Sequence, residues 1–301
     1  MKKTGILRNA LYQLVGENSS MVKKIKVVNA GYPHIMEICI SDDKTSSAWH
    51  DSNKIILGIK MLPQLYAICE EITNSFNISS CMNVESKYSS YGEGNIRGIL
   101  SVSSNDVSCT PPSCIIEKID FLTENSDSKI KKKYFSAIDT MTLFALGYSI
   151  CHEVGHLLYD DDIKDSIVKE INADKFAFQV IKDVYDNEIN DNNALAHSRE
   201  IGTFLGVASV LFFRKPECEN NDTDHPHTIE RMYSMLNYWQ IDDSSLLWEI
   251  GCHLIEKWIN DNAMELPWHK DGTLSYKNKF MCAYGKINEK HQYQFYATPT
   301  T

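Results

Sequence analysis

His152 and His156 stand four residues apart, in the run His152-Glu153-Val154-Gly155-His156. On a helix of ~3.6 residues per turn the two imidazoles point the same way, about one turn apart. That spacing lets both bind one zinc ion at ~2.0–2.1 Å. Glu153 adjoins the first ligand and is placed to take a proton from water rather than to bind the metal. Zinc lowers the pKa of its bound water towards ~7, so a hydroxide can attack a peptide carbonyl and Glu153 can pass the proton on to the leaving amine. With this composition a chance His-Glu-x-x-His arises in about two of every hundred chains, so the surrounding sequence has to carry part of the argument.

A third ligand is expected from Glu170, in Glu170-Ile171-Asn172-Ala173-Asp174. Glu170 and Asp174 are also four apart and share a helix face, with Ile167, Ile171 and Phe178 near it and Ala173, Phe176, Ala177 and Val180 on the other side. A helix apolar nearly all round is buried. Two carboxylates buried together need positive partners: a zinc ion for Glu170, and the ring N–H of a ligand histidine for Asp174. Further on comes His225-Pro226-His227-Thr228-Ile229-Glu230-Arg231. Pro226 suits a helix start. His225, with His227 in reserve, could donate a hydrogen bond to a tetrahedral oxyanion, and Arg231 could pair with Asp174 or Glu170. His34, His50, His197, His253, His269 and His291 have no ligand spacing and read as surface or otherwise satisfied residues. Cys151 points about 100° away from His152 and reads as core.

These residues need helices to hold them. Apolar residues Leu143, Leu146, Ile150, Val154, Leu157 and Leu158 recur at three- and four-residue steps and predict a helix through the histidine pair. Asp160, Asp161 and Asp162 stop it, with Asp162 a cap for a second helix over 163–185. Further helices are expected over 200–213 and 246–259, and a loop over 217–224. The first part is different. Short runs rich in Ile and Val, at 25–28, 35–40, 54–59, 98–102 and 114–121, read as strands, with one helix between them starting near Pro63. Residues 123–133, polar and lysine-rich, read as a linker. The expected division is 1–133, an α+β part contributing a sheet, and 134–301, a helical part carrying the chemistry.

Composition narrows the function classes. The 301 residues are 43% hydrophobic and 23% charged, enough for a packed core. A net charge of -10 argues against nucleic acid, and the basic run Lys129, Lys131, Lys132, Lys133 reads as a solvated helix start. The apolar runs 141–151 and 201–213 fall short of the ~20 residues that span a bilayer, so no membrane partner is expected. Nine cysteines, an odd number, with no export signal fit reduced thiols in the cytoplasm. Cys109 and Cys114 bracket Thr-Pro-Pro-Ser, not a zinc-knuckle spacing, and Gly92-Glu93-Gly94 lacks the other signals of a phosphate loop.

His152, Glu153, His156 and Glu170 resemble the signature of the gluzincin metallopeptidases. The order Glu170, Ala173, Asp174, Ala177, and His225-Pro226 with Arg231 after it, looks like the version in the Ste24/HtpX-type family, in which the histidine of the His-Pro pair lies near the active site. Ala48-Trp49 is similar to a family segment near the substrate cleft. The likeness covers roughly 134–236. Those enzymes are usually membrane-embedded; the plan of this chain is closer to the soluble Lit-type phage-exclusion peptidases of bacteria, which cleave elongation factor Tu during infection. The resemblance implies a cytoplasmic anti-phage protease that stays silent until an activating partner triggers it.

The expectation is therefore an α+β, zincin-like fold, with a twisted sheet on the active-site helix and an edge strand at 96–102 holding an extended peptide. His152, His156 and Glu170 would bind zinc, with Glu153 as general base, His225 at the oxyanion, and Asp174 and Arg231 behind the ligands. The substrate would be a protein or peptide. The rivals are a zinc hydrolase of a small amide or peptide, and a degenerate zincin serving as a regulatory binding module.

Overall fold

The computed structural model describes residues 37–41, 48–51, 54–58, 61–76, 128–159, 163–186, 193–213, 224–262, 264–265, 267–268 and 274–291. Among them the chain is mostly helical, with a small three-stranded sheet. The strands are β1 (Glu37–Ser41), β2 (Ala48–Asp51) and β3 (Lys54–Gly58). The helices are α1 (Met61–Ser75), α2 (Ser128–Tyr159), α3 (Ser166–Asp186), α4 (Asn193–Ala208), the short α5 (Val210–Phe213), α6 (Thr228–Tyr238), α7 (Leu246–Asp261) and α8 (Tyr276–His291). None of these helices is long and apolar enough to cross a membrane.

The sheet order is β1-β3-β2, with β1 parallel and β2 antiparallel to β3. Strands at 35–40 and 54–59 are thus realised within a residue or two, and β2 is an addition that the sequence reading lacked. The expected strands at 25–28, 98–102 and 114–121, and the edge strand at 96–102, lie outside the described residues. Antiparallel pairing sets Ala48 opposite Leu57 and His50 opposite Ile55. Directly opposed residues share a sheet face. Ile55 and Leu57 are buried, so His50 shares the face that packs inward, where β2 and β3 meet α2.

Helix α2 is the axis of the molecule. It starts at Ser128, so the stretch read as a linker over 123–133 is helical from Ser128 on, and the helix runs straight through the expected boundary at 133/134. Ile138, Met141, Ala145, Leu146, Ile150, Cys151 and Val154 are all buried along it, against α1, α3 and α4. The approach of α4 depends on two glycines. A Cβ at Gly206 would stand 2.7 Å from the Ala145 carbonyl oxygen, and one at Gly202 would strike Met141 backbone. Helix α3 crosses on another side, where a Cβ at Gly155 would lie 2.6 Å from the Cα of Ala173. Bare backbone at these positions lets the helices sit closer than side chains would allow.

One cap and one helix's bounds differ from the sequence reading. Helix α3 is capped by Asp165, whose Oδ1 accepts from the N–H groups of Ile167 and Val168, because the chain runs three residues further before it turns helical; Asp162 lies outside the described residues. The helix expected over 200–213 starts at Asn193 and breaks at Ser209, whose hydroxyl donates to the Gly206 carbonyl oxygen and opens the last turn. Across the molecule Lys257 of α7 donates to both carboxylate oxygens of Glu71 in α1, at 2.6 and 2.8 Å, with His253 3.6 Å away.

Candidate metal centre

The close crossing of α2 and α3 sets Glu170 against the two histidines. His152 Nε2 and His156 Nε2 are 3.0 Å apart, and the two oxygens of Glu170 lie 3.2 Å from them, one each. All three residues are buried, and among the described residues they form the His/Glu group able to hold a metal ion. Three acceptors this close repel one another unless a cation or a proton stands between them. The edge of a tetrahedron of zinc–nitrogen bonds is about 3.3 Å, so the donor set fits a zinc ion in type and in spread.

Behind the cluster Asp174 gathers hydrogen bonds from three side chains. His152 Nδ1 lies 2.9 Å from Asp174 Oδ1. A carboxylate only accepts, so the ring donates Nδ1–H and turns Nε2 towards Glu170 and His156. Asp174 has no exposed surface; it also accepts from Tyr148 Oη at 2.6 Å and from Arg231 Nε and Nη2 at 2.9 and 2.8 Å. Arg231 Nη2 in turn donates to Tyr148 Oη at 2.8 Å, and Nη1 lies 3.8 Å from Glu170. Burial favours the neutral form of Asp174, but Arg231 and His152 outweigh it and hold the carboxyl down to about 2. Burial also opposes a charge on His152, yet Glu170 and Asp174 push the ring up to about 10. Glu170 is held far below the usual carboxylate range: burial works against its charge, and His152, His156 and Arg231 overcome that.

The residues expected at this site therefore sort as follows. His152, His156 and Glu170 meet, and Arg231 pairs with Asp174 as one of its two expected partners. His225 Nε2 approaches Glu170 Oε1 at 3.5 Å, and the side chain is 33% exposed, which puts it at the rim. His227, expected in reserve for the oxyanion, has a structural role here. It is the N-cap of α6: its Nδ1 accepts from Ile229 N–H at 3.2 Å, and Glu230 Oε2 accepts from its backbone N–H at 3.1 Å. That capping box satisfies helix N–H groups that would otherwise be orphaned, and it commits the ring inward. Pro226 consequently precedes the cap rather than opening the helix. Cys151 is core as read, its thiol pushed up to about 12 by burial.

Two residues at the site were not singled out from the sequence. Tyr148 stands four residues before His152 on the same helix face, so helical spacing alone would have set it beneath that histidine. His50, read as a surface or satisfied residue, donates from Nδ1 to Glu153 Oε2 at 2.9 Å, and its ring stacks on His156 with centroids 5.6 Å apart. It is 103 residues away from Glu153, and no spacing rule reaches that far.

A family model described as Peptidase U49 matches residues 121–251, a stretch that takes in every residue of this cluster except His50. No curated protein and no solved structure matches the chain. The chain is similar to the U49 peptidases over that stretch, and the match supports a peptidase, acting on a protein or peptide.

Proposed function

We propose that the chain is a zinc-dependent endopeptidase of gluzincin type on a zincin-like core, with His152, His156 and Glu170 as metal ligands and Glu153 as general base. One observation carries the reading: two imidazole nitrogens and a carboxylate converge within 3.0–3.2 Å, on two crossing helices, beside a buried glutamate that is not part of the cluster. Zinc bound there would supply a Lewis acid that makes water acidic near neutral pH and polarises a carbonyl. The remaining work falls to the chain's own side chains. Glu153 takes up the proton of the attacking water and returns it to the leaving amine. Asp174, braced by Tyr148 and Arg231, fixes the tautomer and direction of His152. His225 at the rim donates to the oxygen of the substrate carbonyl as charge develops on it.

An extended peptide as substrate is favoured by β2. Among the described residues β2 is an edge strand, and its inward face carries the His50 contact to Glu153. A peptide lying along such an edge adds main-chain hydrogen bonds at the reacting groups. The resemblance to the Lit-type peptidases extends the reading to a cytoplasmic protease of bacterial anti-phage defence, controlled by an activating partner.

The test is a comparison of the wild type with Glu153→Gln. Both should bind about one zinc per chain, because Glu153 is not a ligand. Only the wild type should produce new protein fragments in expressing cells. A metal-free wild type after gentle purification, or a fully active Glu153→Gln, overturns the proposal.

A further inference from the structure

A carboxylate that serves as general base must offer one oxygen to the reacting water in a fixed direction, and a glutamate reaches its position through several rotatable bonds. Glu153 has an anchor from outside its own helix. His50 Nδ1 lies 2.9 Å from Glu153 Oε2, and the His50 ring is itself held by stacking on His156 at a 26° interplanar angle. Strand pairing with β3 sets the backbone of His50, through the register His50 opposite Ile55. Strand, ring stack and hydrogen bond together determine where one oxygen of Glu153 sits.

We propose that His50 is a positioning residue for Glu153: its Nδ1–H engages one carboxylate oxygen and leaves the other directed at the reacting water. This rests on the reading of Glu153 as general base. It also means that the described sheet takes part in the chemistry, beyond any part in holding a substrate. The carboxylate accepts only, so the pairing fixes the proton of neutral His50 on Nδ1. The reverse arrangement, in which His50 withholds Glu153 from the reaction, predicts the opposite outcome in the assays below.

Three variants of the full chain, loaded with zinc, test this. His50→Phe keeps a ring to stack on His156 but removes the donor. His50→Asn restores a donor close to the place of Nδ1. His50→Ala removes both. We expect His50→Phe and His50→Ala to bind zinc with wild-type stoichiometry and to lose ~10- to 100-fold in kcat with little change in KM. His50→Asn should recover most of that loss. Imidazole nitrogen NMR of the wild type should show His50 as the Nδ1–H tautomer, with that signature lost in Glu153→Ala. Unchanged or increased kcat in His50→Phe overturns the proposal, as does a loss of activity that follows loss of zinc, or a failure of His50→Asn to rescue. If the wild type cleaves no peptide, the peptidase reading falls. The NMR arm then decides the pairing by itself, and an Nε2–H tautomer indifferent to Glu153→Ala overturns it.

Discussion

Gly155 sits inside the run His152-Glu153-Val154-Gly155-His156 yet offers no ligand atom, and Gly155→Ala should show why it is there. The new Cβ would stand 2.6 Å from the Ala173 Cα and 3.1 Å from both the Ala173 Cβ and carbonyl oxygen. Unbonded carbons rest at ~3.5–4.0 Å, so α2 and α3 must part locally by roughly 1 Å. Overpacking of this kind costs ~1–3 kcal/mol, against ~1 kcal/mol gained in helix propensity, a net loss of about 0–2 kcal/mol. The proposed metal site has far less tolerance. The histidines and Glu170 come from opposite sides of this crossing, 3.2 Å apart, while metal–ligand distances tolerate ~0.2 Å. Zinc affinity should fall by ~10- to 100-fold, the scale seen when a ligand loses its support. Chelator competition would give the affinity, and urea unfolding of the metal-free protein the stability. Adding Ala173→Gly should not rescue, because the nearest obstacle is backbone. Wild-type zinc affinity together with the stability gain expected from propensity alone would refute the packing argument.

Three further outcomes are expected. Asp174→Asn leaves the buried Arg231 guanidinium without its anionic partner, and should destabilise the metal-free protein by ~3–5 kcal/mol in urea unfolding; a loss below ~1 kcal/mol would show that Tyr148 and Glu170 suffice. Zinc binding at neutral pH should release roughly one proton, since His152, pushed up to about 10, has to give up its Nε2 proton to become a ligand. Calorimetry in buffers of different ionisation enthalpy measures this, and buffer-independent heats would count against it. Finally, burial alone would raise the Glu71 carboxyl, but His253 and Lys257 hold it below its ordinary value. A depressed folded value gives stability that is present above the unfolded carboxylate pKa and lost as pH falls through the folded one. The acid limb of a stability–pH curve should therefore be flatter in Glu71→Gln; identical limbs would assign it to other carboxylates.

The parts of the site that could be read from the sequence are those that one helix encodes locally. His152 and His156, and Glu170 and Asp174, share faces because four residues make about one turn, and burial of the second pair follows from the apolar residues around it. Arg231 was legible as a charge in search of a buried partner. What escaped depends on packing. Strand β2 has four residues, too few for an alternating pattern, and His50 acquires its neighbours only once that strand pairs with β3. The place of Tyr148 under His152 follows from helical spacing, but the hydrogen bond of its hydroxyl to Asp174 needs the α2–α3 crossing. His227 shares its type and neighbourhood with His225, and only the start of α6 separates a cap from a rim residue. Residues 128–133 read as part of a linker because a polar, lysine-rich run carries no apolar period to mark the helix that begins at Ser128.

The glycines of α4 have a consequence for control. With Gly202 and Gly206 resting on the α2 main chain, and Ala173 lodged against Gly155, α2 has no clearance to roll about its long axis. A slip of a single residue would swing both imidazoles through ~100° and dismantle their meeting point. Any device that turns this centre on or off would therefore act through the strand bearing His50 or through residues 224–227 leading into α6, while the rod holding the histidines stays still.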